Sequence, residues 1–409
     1  MVKAGALYFS IIIAFVIAVL CAALLLLAAH YRNSYLKELR FGRLLRNMDG
    51  GIAVALSSEE LLDTLRGVDL YQQGTDSVAL QYQRWGIYQL VFLKAFIQKD
   101  TLKRAVLLGT NADSTAIYLS DEDRSLSLSG DAKVVGDVSV PKSGLKKAYV
   151  DGRPFSYEKL VEKGSLGHSE RLLPKLDSGI LASLGNGFKK MDIYTDMSET
   201  HIMQSFYRPT LYFDVSARSK LTGLSMRGNI IIRSDTLLRI AASCELDGIQ
   251  VYAPGIVIEN GFRGRGQFFA TDSIIIGDKV SLLYPSVAAV LRTPLSTAFP
   301  KLLLGKSTLF EGVLLTYEQQ RSPLQTMLSI DSASLVHGEV YITGVLKFAK
   351  GITVKGKVSC NSFLMQRGQS IYENFLIDLT INTKARNRYY ASSRLFRYKG
   401  TNKVLQWLK

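Results

Sequence analysis

"GEVYITGVLKFAKGITVKGKVS", residues 338–359, carries Val340, Leu346, Ile352 and Val358 six residues apart, with Gly338 and Gly344 at the same interval. A six-residue apolar period does not fit an α-helix. It fits short strands separated by tight turns, the arrangement of a β-helix. "LSLSGDAKVVGDVSV", residues 126–140, repeats the rhythm with Leu128, Val134 and Val140, and with Gly130 and Gly136.

Between these blocks the repeat lengthens. Apolar strands at 230–232, 249–251 and 267–269 form one series, and those at 238–240, 256–258 and 274–276 form a second that advances by eighteen each time. Three six-residue edges make eighteen, so both rhythms describe one coil whose strands stack in parallel around a narrow apolar core. Gly228, Gly248, Gly255, Gly261 and Gly277 fall at the turns, beside Asn229, Asp235, Asp247 and Asn260. The period lapses at 153–210, which contains the helix-compatible "GILASLGNGF", and at 285–323, which contains Pro285, Pro294, Pro300 and Pro323. Both stretches are expected as excursions from the coil.

Upstream, "SVALQYQRWGIYQLVFLKAFI" (77–97), "RAVLLGT" (104–110) and "TAIYLSD" (115–121) have strand length with turn residues between them, which predicts a small antiparallel sheet. "SSEELLDTL" (57–65) reads as a helix with Ser57 or Ser58 at its N-cap. Before it, residues 11–29 are nineteen consecutive apolar residues, enough to cross a ~30 Å hydrocarbon core at about 1.5 Å per residue. The run exceeds the ~7–15 residues of a cleavable signal. Tyr35, Leu36, Leu39, Leu44, Leu45, Met48 and Ile52 then recur at helical spacing, so one helix is expected to continue out of the membrane and to end or kink at Gly50-Gly51.

The expected fold class is mainly β, with a long N-terminal transmembrane α-helix, a small antiparallel sheet and a right-handed β-helix-like solenoid with insertions. The expected divisions are 1–56 for the helix, 57–125 for the sheet region, 126–383 for the solenoid and 384–409 for a basic C-terminal cap or tail.

Two resemblances follow from these residues. The short leader Lys3-Ala4-Gly5, followed by Ala6-Leu7 and an unbroken apolar helix, resembles the N-terminus of type IV minor pilins and secretion-system pseudopilins. That resemblance implies leader-peptidase cleavage between Gly5 and Ala6, a bacterial inner-membrane anchor, a large domain in the periplasm or outside the cell, and other membrane-anchored subunits as partners. Ser10 stands where major pilins carry a glutamate, which argues against a major filament subunit. The β-helical blocks resemble bactofilins, polymer-forming scaffold proteins, and imply a membrane-tethered cytoplasmic scaffold as the alternative. The charges favour that alternative: Arg32, Lys37, Arg40, Arg43 and Arg46 follow the span, against Lys3 and the amino terminus before it.

Lys plus Arg exceed Asp plus Glu by 50 to 35, which favours anionic partners such as headgroups, acidic polysaccharide or nucleic acid. The last segment, 384–409, concentrates eight Lys or Arg and no acid, with Tyr389, Tyr390, Phe396, Tyr398 and Trp407. Arg386, Arg388, Arg394, Arg397 and Lys399 are therefore the candidate anion-binding residues, and a cap over the open end of the coil is the structural alternative.

No catalytic, metal or cofactor constellation is read, and no small-molecule substrate is expected. His30, His168, His201 and His337 lack ligand spacing, and Cys21, Cys244 and Cys360 form no CxxC. Gly305-Lys306-Ser307 ends like a phosphate loop, but Pro300 stands where the first glycine is needed. Asp235, Asp247, Asp272 and Asp278 fit turn capping, with acid–base work on an acidic polysaccharide as a third reading. Arg263 and Arg265 in "GFRGRGQFF" fit a coil corner.

Overall fold

The computed structural model describes residues 2–57, 65–70, 72, 74, 76–191, 194–292, 299–322, 324–396 and 401–408. The chain forms two compact units, one of Met1–Ala55, Leu62–Tyr82 and Val91–Arg104, the other of Leu56–Leu61, Gln83–Leu90 and Ala105–Lys409.

In the first unit a single helix, α1, runs unbroken from Val2 to Ser57. Every residue from 5 to 39 is exposed. Leu44, Met48 and Ala55 are buried, and Arg40 Nε reaches Asp100 Oδ2 at 2.8 Å. The helix does not stop at Gly50-Gly51, and the reason is packing. A Cβ at Gly50 would lie 2.6 Å from Leu70 Cδ1, and one at Gly51 would lie 2.6 Å from Val78 Cγ1. These glycines let Leu70 and Val78 approach the helix backbone, and that contact outweighs their poor helix propensity. Of the helix expected over 57–65, residues 58–64 lie outside the described set, Ser57 ends α1 and Leu65 begins a strand.

A five-stranded sheet orders Leu65–Val68, Asp76–Trp85, Tyr88–Ile97, Asp100–Thr110 and Asn402–Leu408. The last strand pairs antiparallel with residues 105–110. The C-terminal strand is thus a sheet edge and not a lid on the coil. Thr115–Leu119, expected in this sheet, instead pairs in parallel with residues 358–360 of the solenoid.

The solenoid has the expected coils. Leu238 pairs with Ile256 and Ile256 with Ile274, eighteen positions each, and strands such as Glu245–Ile258 and Leu335–Phe348 bend around its corners. On one face Phe213, Ile232, Val251, Phe268, Ala288, Leu314, Val340, Val358, Ile117 and Val138 stack in register, all buried. Ten inward side chains from ten coils make the core a column, each burying apolar area worth about 1.5–3 kcal/mol for a full-sized side chain.

Much of the second expected excursion is coil. Ser281–Arg292, Lys301–Leu304 and Leu309–Glu318 all carry ladder strands, and only the connections between them lengthen the repeat, to 26 positions from Leu302 to Leu328. Pro285 is tolerated because it sits at a register irregularity between Leu282 and Ser286. Leu166–His168 and His201–Gln204, inside the first expected excursion, are also coil strands.

The order of coils is not the order of sequence. Residues 115–119 stack on the C-terminal coil, followed by residues 137–140 and then 166–168, so the ladder ends at Leu166 on one side and at Leu211–Asp214 on the other. Ten strand spacings of about 4.8 Å separate those ends by about 48 Å. Residues 169–191 lie along the flank between them. There Tyr341 Oη donates to Pro174 O at 3.1 Å, α2 (Ser178–Gly187) is capped by Asp177, whose Oδ1 accepts the Ile180 N–H at 2.9 Å, and Arg233 Nε donates to Phe188 O at 3.1 Å.

Candidate functional site

Three features carry chemistry: the exposed half of α1, the basic C-terminal segment and the coil flank that this segment crosses. Among the described residues α1 alone is long and apolar enough to cross a membrane, with a mean hydropathy of 3.3 over its best window and none of that window buried. Gly5 and Ala6 lie in its exposed first turns, and nothing stands within 4 Å of a Cβ placed on Gly5. The Ser10 hydroxyl donates to Leu7 O at 2.8 Å, which satisfies this polar group within the helix itself.

Two arginines of the basic segment have partners within the fold. Arg394 is buried and donates to the side-chain carbonyl of Gln89. Arg386 donates through Nε to Thr383 O at 3.1 Å and through Nη2 to Asp113 O, and it lies 5.7 Å from the centre of the Tyr390 ring. Arg388 is exposed, while Arg397 and Lys399 lie outside the described residues. Residues 384–396 form a strap across the coils, tied by Ser392 and Thr110, which exchange backbone hydrogen bonds of 2.9 and 2.8 Å, and by Tyr284 Oη donating to Ala391 O at 2.8 Å.

Beneath the strap lies a buried polar group of residues. Glu339 is 3 % exposed and accepts from Ser393 Oγ at 2.7 Å, while Lys357 Nζ meets Asp113 Oδ2 at 2.6 Å. Burial pushes the Glu339 carboxyl up from its ordinary value, against the opposing pull of Ser393, Lys357 and Arg386. Burial also raises the Tyr88 and Tyr390 hydroxyls.

Outward-facing residues on successive coils form a second ladder. Glu311 pairs in register with His337, and His337 with Lys355. His337 Nδ1 stands 3.0 Å from Glu311 Oε1, and Glu311 Oε2 accepts the Tyr284 N–H at 3.3 Å. Next to this ladder runs a file of glycines, Gly312, Gly338 and Gly356, also in register. Gly338 has φ 144°, and a Cβ there would lie 1.9 Å from Gly312 O. The coil ladder and the strap enclose a cavity of about 620 Å³. The sequence reading missed this site because Glu311 and His337 are 26 positions apart, and only the lengthened coil places them side by side.

The other candidates resolve into local structure. Asp247 lies between Arg227, at 3.0 Å, and Arg265, so the "GFRGRGQFF" arginine is paired within the coil. Asp278 accepts the Lys306 N–H at 2.8 Å, which makes the phosphate-loop look-alike a turn. Cys244 and Cys360 are buried free thiols. Among the described residues no three His, Cys, Asp or Glu side chains converge as a metal site.

No family model and no curated protein matches the chain. Among solved structures it is similar to the competence-associated pilin ComZ from Thermus thermophilus, at 12% identity over 87% of each chain with a TM-score of 0.29. A score of that size does not define a common fold.

Proposed function

We propose that this protein is a non-enzymatic, single-pass membrane-anchored structural subunit of a pilus-like or secretion assembly. The observation that carries the reading is the division of α1: an apolar half with no protein cover continues without a break into a half seated on strands of its own unit. A helix so built places its first half in lipid or among the apolar stems of other subunits, and holds the folded body outside. In this reading Gly5-Ala6 is the processing junction. Intact-mass measurement of the purified protein tests it: loss of residues 1–5 is expected, and a retained Met1 overturns leader processing.

The opposite orientation, a membrane-tethered cytoplasmic scaffold, is favoured by one observation. Arg32, Lys37, Arg43 and Arg46 are exposed on the helix just beyond the apolar run, the placement of cytoplasmic flanking charges. Protease added to spheroplasts decides between the two. Digestion of the body before lysis supports the outward assembly subunit, and protection until lysis supports the scaffold.

A further inference from the structure

The cavity under the C-terminal strap is rich in donors that nothing in the fold uses. Among the described residues Arg386 Nη1 is buried with no hydrogen-bond partner, the Lys355 side chain has neither an ion pair nor a hydrogen bond, and His337 Nε2 is buried and unpartnered as the acceptor nitrogen of a ring whose Nδ1–H goes to Glu311. The one carboxylate on the wall, Glu311, is already shared between His337 and the Tyr284 N–H. Unpartnered N–H groups in a partly buried site cost stability unless something accepts from them, so the site is built for an acceptor of negative charge.

The walls restrict the acceptor further. Tyr389 is 83 % exposed at the rim, and Leu405 contributes an apolar surface to the same lining. A flat aromatic face and an aliphatic wall suit the C–H face of a sugar ring, while Glu311 can still accept from hydroxyls. A volume of about 620 Å³ lies in the usual range for small-molecule sites and is too small for a nucleic-acid duplex.

We infer that this cavity binds one anionic monosaccharide unit, a sugar acid or a sugar phosphate, with its charge on Lys355 and Arg386 and its ring on Tyr389. The site is independent of which side of the membrane the body occupies. His337, whose Nδ1–H goes to the Glu311 carboxylate, offers Nε2 as an acceptor for a hydroxyl of the same ligand. Arg386 thereby keeps the anion-binding role expected for it, but as one residue of a pocket and not of an open patch.

Calorimetric titration of the full-length protein in a sugar-free nonionic detergent tests this, with glucuronate, glucose 6-phosphate, glucose and inorganic phosphate as probes. At least one of the two anionic sugars is expected to bind about tenfold or more tighter than glucose and than phosphate, and the tighter of the two identifies the source of the charge. Lys355→Gln is expected to remove that tenfold preference over glucose. Tyr389→Ala, at an exposed position that folding does not need, is expected to weaken the sugars and leave phosphate unchanged. Equal binding of glucose and both anionic sugars, binding of phosphate as tight as of the tighter anionic sugar, or no effect of either variant overturns the inference.

Discussion

Gln267 and Ile87, 180 positions apart in sequence, are joined by a buried hydrogen bond: Gln267 Oε1 accepts the Ile87 N–H at 3.1 Å, and the same side chain donates through Nε2 to Trp85 O at 2.9 Å. One amide thus bonds two backbone groups on either side of Gly86. Gly86, at φ 61°, has no room for a Cβ, which would meet Gln267 Oε1 at 2.0 Å. Replacing Gln267 with leucine keeps the bulk and orphans both groups. The expected loss is about 2–6 kcal/mol, from two buried unpaired groups at about 1–3 kcal/mol each. Urea denaturation followed by tryptophan fluorescence reads it, with Trp85 in the affected turn.

The glycine file beside the outward ladder is a steric requirement and not a preference. Gly338→Ala forces a Cβ onto the Gly312 carbonyl of the adjacent coil, and a loss on the order of 3 kcal/mol is expected. Gly185→Ala provides the contrast. Gly185 lies within α2 with nothing inside 4 Å of its would-be Cβ, so a gain of up to about 1 kcal/mol is expected. Equal effects of the two substitutions in thermal denaturation would sink this account of the corner.

Glu339 is a carboxylate whose folded state favours the proton. Because its folded pKa lies above the unfolded value, the folded protein binds the extra proton and stability falls as pH rises between the two. Glu339→Gln removes that penalty while keeping an acceptor for Ser393. The variant is expected to gain melting temperature over the wild type at pH 8, with the gain shrinking toward pH 4.5. A difference constant across that range would refute the assignment.

Asp137 behaves in the opposite sense. Hydrogen bonds from the Ser114 hydroxyl, and from the Ser165 N–H and hydroxyl at 2.8 Å each, lower its carboxyl to about 2. A depressed folded pKa stabilises above the ordinary carboxylate value, near 4, and is lost as pH falls through about 2. Asp137→Asn is therefore expected to be less stable than wild type at pH 6, and the two melting curves are expected to converge near pH 2.

The coil was legible in the sequence because its signal is local: Val340, Leu346, Ile352 and Val358 each point inward once per edge, and hydrophobic burial enforces that spacing. The long helix was legible for the same reason, but its passage through Gly50-Gly51 was not, since the reason lies in Leu70 and Val78. Periodicity reports that a strand has a neighbour above and below, not which one. Hence the pairing of residues 117–119 with 358–360 left no trace in the pattern. Charge counting is likewise blind to local partners at the C-terminus. It does not register that Arg394 donates to Gln89, or that Arg386 gives Nε to Thr383 O and Nη2 to Asp113 O.

The solenoid is completed in its middle. Residues 117–119 lie against residues 358–360, and Thr110 faces Asn402 across 292 positions. A ribosome therefore delivers this chain in an order that the fold does not follow. At about 5–20 residues per second, the strand at Thr115–Leu119 waits on the order of ten to fifty seconds for the coil that covers its edge. By then α1 has long since emerged and is available to the membrane. The body thus closes last, around an edge that must be kept from other chains until translation ends.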